Sequence, residues 1–200
     1  RRGTSRQSPH SATVIVVGGG SHFTDIRVIA QRNSITNITV YDDDPETGWA
    51  PVPLVMTGPL IIGVNNPKTR QAIAETHPLT RGAAPLIDPS ALIGPDVHFG
   101  HGCVIAPMVT LLTHVTLGEH VHINYHASAT RCTIGDFTTV SPGAVICGDI
   151  VIGKACLIGA GSTICDRVTI GNDVVVAAGA VIPPASVVPD GAKVIGVWKS

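Results

Sequence analysis

The sequence predicts a chain of α/β plus all-β class: a small Rossmann-like β-α-β unit followed by a parallel β-solenoid of hexapeptide repeats. Three observations carry this. A β-branched run, "TVIVV" at 13–17, breaks at once into "GGGSHF". A second strand-and-helix pattern follows in "PLIIGVNNPKTRQAIAE". From Ile87 onward an aliphatic residue returns at every sixth position for about a hundred residues.

The first run reads as a buried strand because it is short, apolar and β-branched. Gly18, Gly19 and Gly20 form the turn that follows it, and "TDIRVIAQRN" then puts Ile26, Ile29 and Ala30 on one helical face. "ITNITVYDDD" reads as a second strand that ends in acids. Leu60 to Val64 read as a third, Asn65 and Asn66 as a turn, and a helix starts near Pro67, where the missing N–H is not needed. The segment between them, "PETGWAPVPLVMTG", is short and rich in proline. A full dinucleotide fold does not fit in the roughly 80 residues available, which argues against a nicotinamide-dependent enzyme. The expected organisation is a flexible N-terminus at 1–12, a Rossmann-like unit at 13–84 and a solenoid at 85–200.

In the second part the leading residues run Ile87, Ile93, Phe99, Ile105, Leu111, Leu117, Ile123 and Ala129. They resume, one residue early, at Ile134 and continue through Val140, Ile146, Ile152, Ile158, Ile164, Ile170, Val176 and Ile182. Small or β-branched residues, such as Val109, Val121, Ala144 and Ser162, stand four places after them. Such a pattern stacks short strands into coils, each burying its leading aliphatic against the coils above and below.

The formal net charge is −1, so neither nucleic acid nor an anionic membrane surface is an expected partner. No apolar run nears the ~20 residues of a membrane span, so membrane insertion is not expected either. The five cysteines are scattered and form no CxxC pair, which reads as reduced thiols in a cytoplasmic protein.

The hexapeptides "IGPD", "LGEH", "IGDF", "IGKA" and "IGND" resemble those of the left-handed parallel β-helix acyltransferases. The order of parts is similar to one branch, the sialic acid O-acetyltransferase and bacillosamine-type sugar N-acetyltransferase family. "VIVVGGGSHF", "VYDDDPETG" and "IIGVNNPKTR" match its N-terminal motifs, and "GVWKS" loosely matches its ending. The resemblance implies a left-handed triangular coil, a homotrimer, acetyl-CoA or another acyl-CoA as co-substrate, and a small-molecule acceptor held by the N-terminal unit. It implies no metal.

Candidate acceptor-binding residues are Gly18, Gly19, Gly20, His22, Asp42 and Asn65. The glycines let a polar ligand group approach backbone amides at a helix N-terminus, although a tight turn with no ligand needs them too. Phe23 stands where the family's motif has glycine. Candidate cofactor-binding residues are Gly148, Gly159, Ala160, Ala178 and Gly179, small positions that leave room for a pantetheine arm.

Acyl transfer needs a group that takes the nucleophile's proton and a donor that polarises the thioester carbonyl. The resemblance puts a histidine followed by an acid one coil before a donor glycine, here Gly148. Counting back lands on Thr130 or, depending on where the missing residue falls, on Arg131. A second histidine of the family is replaced by Thr139. His126 is the nearest substitute, either as the base or as a plain exposed corner residue. His114, His120 and His126 share one register on three different sides, so they do not converge on a metal. Cys132 as a nucleophile lacks a visible base, and a small buried thiol is the simpler reading. Two readings follow: a CoA-dependent acyltransferase with an atypical catalytic coil, or a catalytically inactive homologue that binds a ligand or stabilises a partner.

Overall fold

The structure, a computed structural model, describes residues 13–42, 46, 48, 50, 60–77 and 82–199. The expected flexible segment 1–12, Asp43 and Asp44 lie outside them.

The first unit opens with β1 (Thr13–Val17), α1 (Ser21–Arg32) and β2 (Asn37–Tyr41), followed by β3 (Leu60–Ile62) and α2 (Pro67–Thr76). The three strands are parallel in the order β2-β1-β3. Alternation along β1 sends Val14 and Val16 toward the core that contains Phe23, Ile26, Ile29 and Ala30 of α1. Ile15 and Val17 face the other way, with Leu60 and Ile73. Both layers are therefore apolar where the helices lie.

β3 ends at Ile62, two residues short of the sequence expectation. The cause is the crossing of two turns. Gly63 N–H donates to the Val17 carbonyl at 2.6 Å, and a Cβ on Gly63 would sit 2.7 Å from the Gly18 carbonyl oxygen. Gly18 itself has φ of 101°, open only to glycine at low cost. α2 starts as expected, with Pro67 in its first turn and the Asn66 side chain accepting from Thr69 N–H at 3.1 Å. Asn66→Ala should lower stability by about 1 kcal/mol in urea unfolding. A change within error would show that packing of α2, and not its cap, sets its stability.

From β4 (Leu86–Ile87) to β22 (Lys193–Val194) the chain winds into a three-sided parallel solenoid. Face I holds seven strands, among them β7 (Val104–Ile105), β10 (His122–Ile123) and β13 (Thr139–Val140). Faces II and III hold six each. Residues 18 apart stack, as in Val104↔His122, except across one coil, where the offset is 17, as in His122↔Thr139. The leading aliphatics point inward: Ile105, Leu111, Ile123, Ile134, Ile158 and Ile164 are at most 1% exposed. Ile87, Ile93 and Phe99 are partly exposed because they form the end coil.

From Asp96 onward, each corner has one residue at positive φ. Asp96, His114, Arg131, Asp149 and Arg167 mark the edge between faces II and III. Gly102, His120, Phe137, Ala155 and Asp173 mark the III–I edge, and Met108, His126, Gly143, Gly161 and Gly179 the I–II edge. The three histidines of common register thus stand on three different edges. Among the described residues, no group of three or more His, Cys, Asp or Glu side chains is placed to hold a metal, and no helix is long and apolar enough to cross a membrane.

The two parts share one core and are fastened by buried polar contacts. Arg32 of α1 donates to Asp88 at 2.7 Å. Burial pushes the Asp88 carboxyl up, but the Ser90 hydroxyl and N–H, with Arg32, outweigh this and leave it lowered. Arg70 of α2 is 0% exposed and makes five hydrogen bonds, all to neutral oxygens. Its acceptors are the carbonyls of Val64, Asn65, His120 and Phe137 and the hydroxyl of Thr139.

Candidate functional site

The short coil decides where a base can stand. Strand pairing fixes Ala129 opposite Ile146 and Cys132 opposite Ile150. Thr130 and Arg131 must therefore span what Cys147, Gly148 and Asp149 span one coil later. Arg131 takes the corner at φ 42°, and its carbonyl accepts from both Asp149 N–H at 2.7 Å and Ile150 N–H at 3.2 Å. Its guanidinium lies over Gly148, where any Cβ would collide with it, and also meets Asp149 at 3.2 Å. The side chain above Gly148 is thus that of Arg131 and not Thr130, because the missing residue falls between the strand end and the corner.

The Gly148 amide is already engaged. It donates to Asp166 Oδ1 at 2.9 Å. A cavity of about 300 Å³ lies over this spot, lined by Thr110, Ser128, Thr130, Arg131, Cys147 and Asp166 among others. Cys132 is 4% exposed, and burial pushes its thiol up to about 12, so it holds its proton and is no nucleophile.

The I–II edge is different in kind. Its corners stack as Tyr125–His126, Pro142–Gly143, Ala160–Gly161 and Ala178–Gly179, tied by Gly143 N–H to Tyr125, Gly161 N–H to Pro142 and Gly179 N–H to Ala160. A Cβ on Gly143, Gly161 or Gly179 would meet nothing, so the column is smooth and open. Gly159 is buried, and its lack of a side chain serves close stacking on Ala177. The structure therefore brings Gly159, Ala160, Ala178 and Gly179 together with His126 on one edge. Gly148 and Thr130 stand on the next.

His126 is exposed, one coil after Pro107 and Met108 on the same edge, with its N–H donating to the Pro107 carbonyl at 3.3 Å, and opens onto a second cavity of about 300 Å³, between α1 and face I. His22, on the first turn of α1, reaches the same cavity. An adjoining cavity joins His22, Asp25, Asn65, Asn124 and Tyr125. Asn124 Nδ2 donates to Asn65 Oδ1 at 3.4 Å, and Thr139 Oγ1 donates to the Asn65 carbonyl at 2.8 Å. Asp42 Oδ2 accepts from Gly19 N–H at 2.5 Å, so this acid closes the glycine turn from the end of β2. Gly20 precedes α1 as an exposed N-cap without a side-chain partner. Sequence reasoning missed Asp25, His122 and Asn124. His122 and Asn124 flank the core residue Ile123 and carry no periodic signal of their own.

A family model, the GMPPB C-terminal domain, matches residues 81–195. The chain belongs to this family. Of the curated proteins, the GDP-perosamine N-acetyltransferase of Escherichia coli O157:H7 is 34% identical over 94 residues. That match spans 46% of this chain and 42% of the relative, less than half of its length. The acetyltransferase domain of PglB from Neisseria gonorrhoeae FA1090, solved with acetyl coenzyme A, superposes with a TM-score of 0.80 at 25% identity, covering 92% of this chain and 96% of that one. A perosamine N-acetyltransferase from Caulobacter crescentus, solved with CoA and GDP-perosamine, gives 0.82 at 23% identity, covering 95% and 96%. The solenoid is accordingly a left-handed parallel β-helix, and the resemblance to hexapeptide-repeat sugar N-acetyltransferases is borne out.

Proposed function

We propose that this chain is a CoA-dependent acyltransferase that carries an acetyl or other acyl group to the amine or hydroxyl of a sugar, nucleotide-sugar or other small acceptor. The observation that carries this reading is the smooth I–II edge. It climbs from Ala178 and Gly179 past Ala160 to Tyr125 and His126, and ends at the cavities that His22 and Asn65 line. A pantetheine arm laid along small residues would deliver its thioester there. The PglB domain solved with acetyl coenzyme A supports the donor. The likeness to a GDP-perosamine N-acetyltransferase supports a nucleotide-linked amino sugar as acceptor.

In this reading the first unit is Rossmann-like and holds the acceptor. Within the turn, Gly18 N–H is taken by the Tyr41 carbonyl and Gly19 N–H by Asp42, so the acceptor would meet this unit at Gly20, the α1 N-cap, with His22 and Asn65 nearby. A homotrimer in the cytoplasm would set one copy's I–II edge against a neighbour's II–III edge, bringing Gly148 and Thr130 back to the reaction. Gly148 can then polarise the thioester only after Asp166 releases its amide. His126, or a group of the acceptor, handles the proton. An acceptor amine that is neutral at working pH needs little help, so positioning supplies most of the rate.

The test is release of free CoA from acetyl-CoA by the purified chain with GDP-perosamine. Release should require both substrates, and His126→Ala should lower kcat by about 100-fold with little change in KM for acetyl-CoA. Tight acyl-CoA binding with no release would favour the inactive homologue. Neither binding nor release would remove the acyltransferase reading.

A further inference from the structure

A histidine pair sits in the cavity between α1 and face I, away from the Gly148 coil. His22 Nε2 and His122 Nδ1 are 3.1 Å apart, with ring centroids 5.1 Å apart and planes tilted by 32°. Asp25, one turn along α1, places Oδ2 3.5 Å from His22 Nδ1. His122 is 1% exposed, and its Nε2 has no hydrogen-bond partner.

The tautomers follow from the end of this chain. A carboxylate only accepts, so His22 Nδ1 carries the proton that faces Asp25. Neutral His22 then has its lone pair at Nε2, and the proton between the rings belongs to His122 Nδ1. His122 Nε2 is left as a bare lone pair. Burial, then Arg70, His22 and His120, hold His122 well below the usual imidazole range, so it stays neutral. A buried acceptor without a donor is costly in a folded protein, and a ligand donor would relieve it. The rest of the lining is apolar, with Val28, Ile29, Val104, Ala106 and Ile123, while Asn124 and His126 stand near the I–II edge.

We propose that this cavity is a ligand pocket in which His122 Nε2 accepts a hydrogen bond from a neutral N–H or O–H on a small molecule with an apolar ring body. Asp25 and His22 are positioning residues: they fix which nitrogen of His122 is bare. Under the acyl-transfer reading, on which this assignment of the ligand rests, the donor is the acceptor's own amine or hydroxyl, held beside the end of the I–II edge.

The experiment is long-range ¹H–¹⁵N correlation on the full chain labelled at histidine, with His22→Gln and His122→Gln used only to assign the resonances. At neutral pH, His122 should show a protonated Nδ1 and an unprotonated Nε2, and His22 a protonated Nδ1. Cyclohexanol, an apolar ring with one hydroxyl, should move the His122 Nε2 resonance, whereas methylcyclohexane should not. His122→Phe should weaken cyclohexanol binding at least about tenfold, the loss expected for one buried hydrogen bond. A protonated His122 Nε2, or a resonance that saturating cyclohexanol leaves in place, overturns the proposal. A response to cyclohexanol but none to GDP-perosamine keeps the pocket and removes that sugar nucleotide as its occupant. CoA release, measured separately, judges the acyltransferase reading whichever way the pocket falls.

Discussion

Arg70→Ala is expected to cost about 4 kcal/mol in urea unfolding and to loosen α2 from the solenoid. What is left behind sets the size of the loss. Five neutral oxygens lose a charged donor, and each buried acceptor left unmatched costs about 1–3 kcal/mol, less whatever water recovers. The guanidinium itself is held without a carboxylate, and burial lowers it to about 9, so it stays charged at neutral pH. Arg70→Lys should recover little, because an ammonium has three donors and no planar fork to reach across from His120 to Val64. Limited proteolysis would show the loosening as early cleavage in 60–77, ahead of the solenoid. A loss below about 1 kcal/mol would mean that the shared apolar core, and not this clamp, joins the two parts.

Acid should destabilise the protein in a defined window. Burial, then Arg70, lowers His120 to about 4, and the ring stacks on Phe137 with centroids 5.4 Å apart. Arg70 faces it from α2, while Asp136 favours its charged form and His101 opposes it. His122 and His22 are lowered too, in both cases first by burial. For His22, Asp25 works against the shift and Arg70 with it. A folded value below the unfolded one means that the unfolded chain binds more protons between the two. The stabilisation is therefore complete above the unfolded value of 6.5 and lost as pH falls toward 4. At pH 5, His120 alone should account for about 2 kcal/mol of that loss. Urea midpoints at pH 8 and pH 5 measure it, and His120→Phe should flatten the difference. Equal midpoints at the two pH values would contradict neutral, buried histidines at this junction.

The solenoid was legible because its signal repeats. A leading aliphatic such as Ile158 has the same environment as Val140 one coil earlier and Val176 one coil later, so each position votes for the same six-residue step. The β-α-β opening was legible for a local reason: a β-branched run followed by three glycines leaves few alternatives. The candidate site was harder. That one residue was missing near 130 could be counted, but which level it left empty could not. Strand pairing on both sides settles that Arg131 covers Gly148. Outward-facing positions carry no period, so the hexad pattern does not mark His122 and Thr139 as buried. They are buried only because α1 and α2, far back in the chain, cover face I. The burial of Arg70 carries no sequence signal for the same reason.

The corners have a consequence for how short such a chain could be. Among the described residues, twelve that are not glycine, from Asp96 to Ala185, hold solenoid corners at positive φ. Each such residue is strained by about 1 kcal/mol relative to ordinary backbone. One coil cannot offset this by itself, since its peptide groups bond to the coils before and after it. Length is thus a condition of existence for this architecture: an isolated coil is unstable, and a stack becomes viable only when interior coils outnumber the ends. Trp198 packs over the last coil and donates its backbone N–H to the Val181 carbonyl, closing one end of the stack with a residue that repeats nowhere in it.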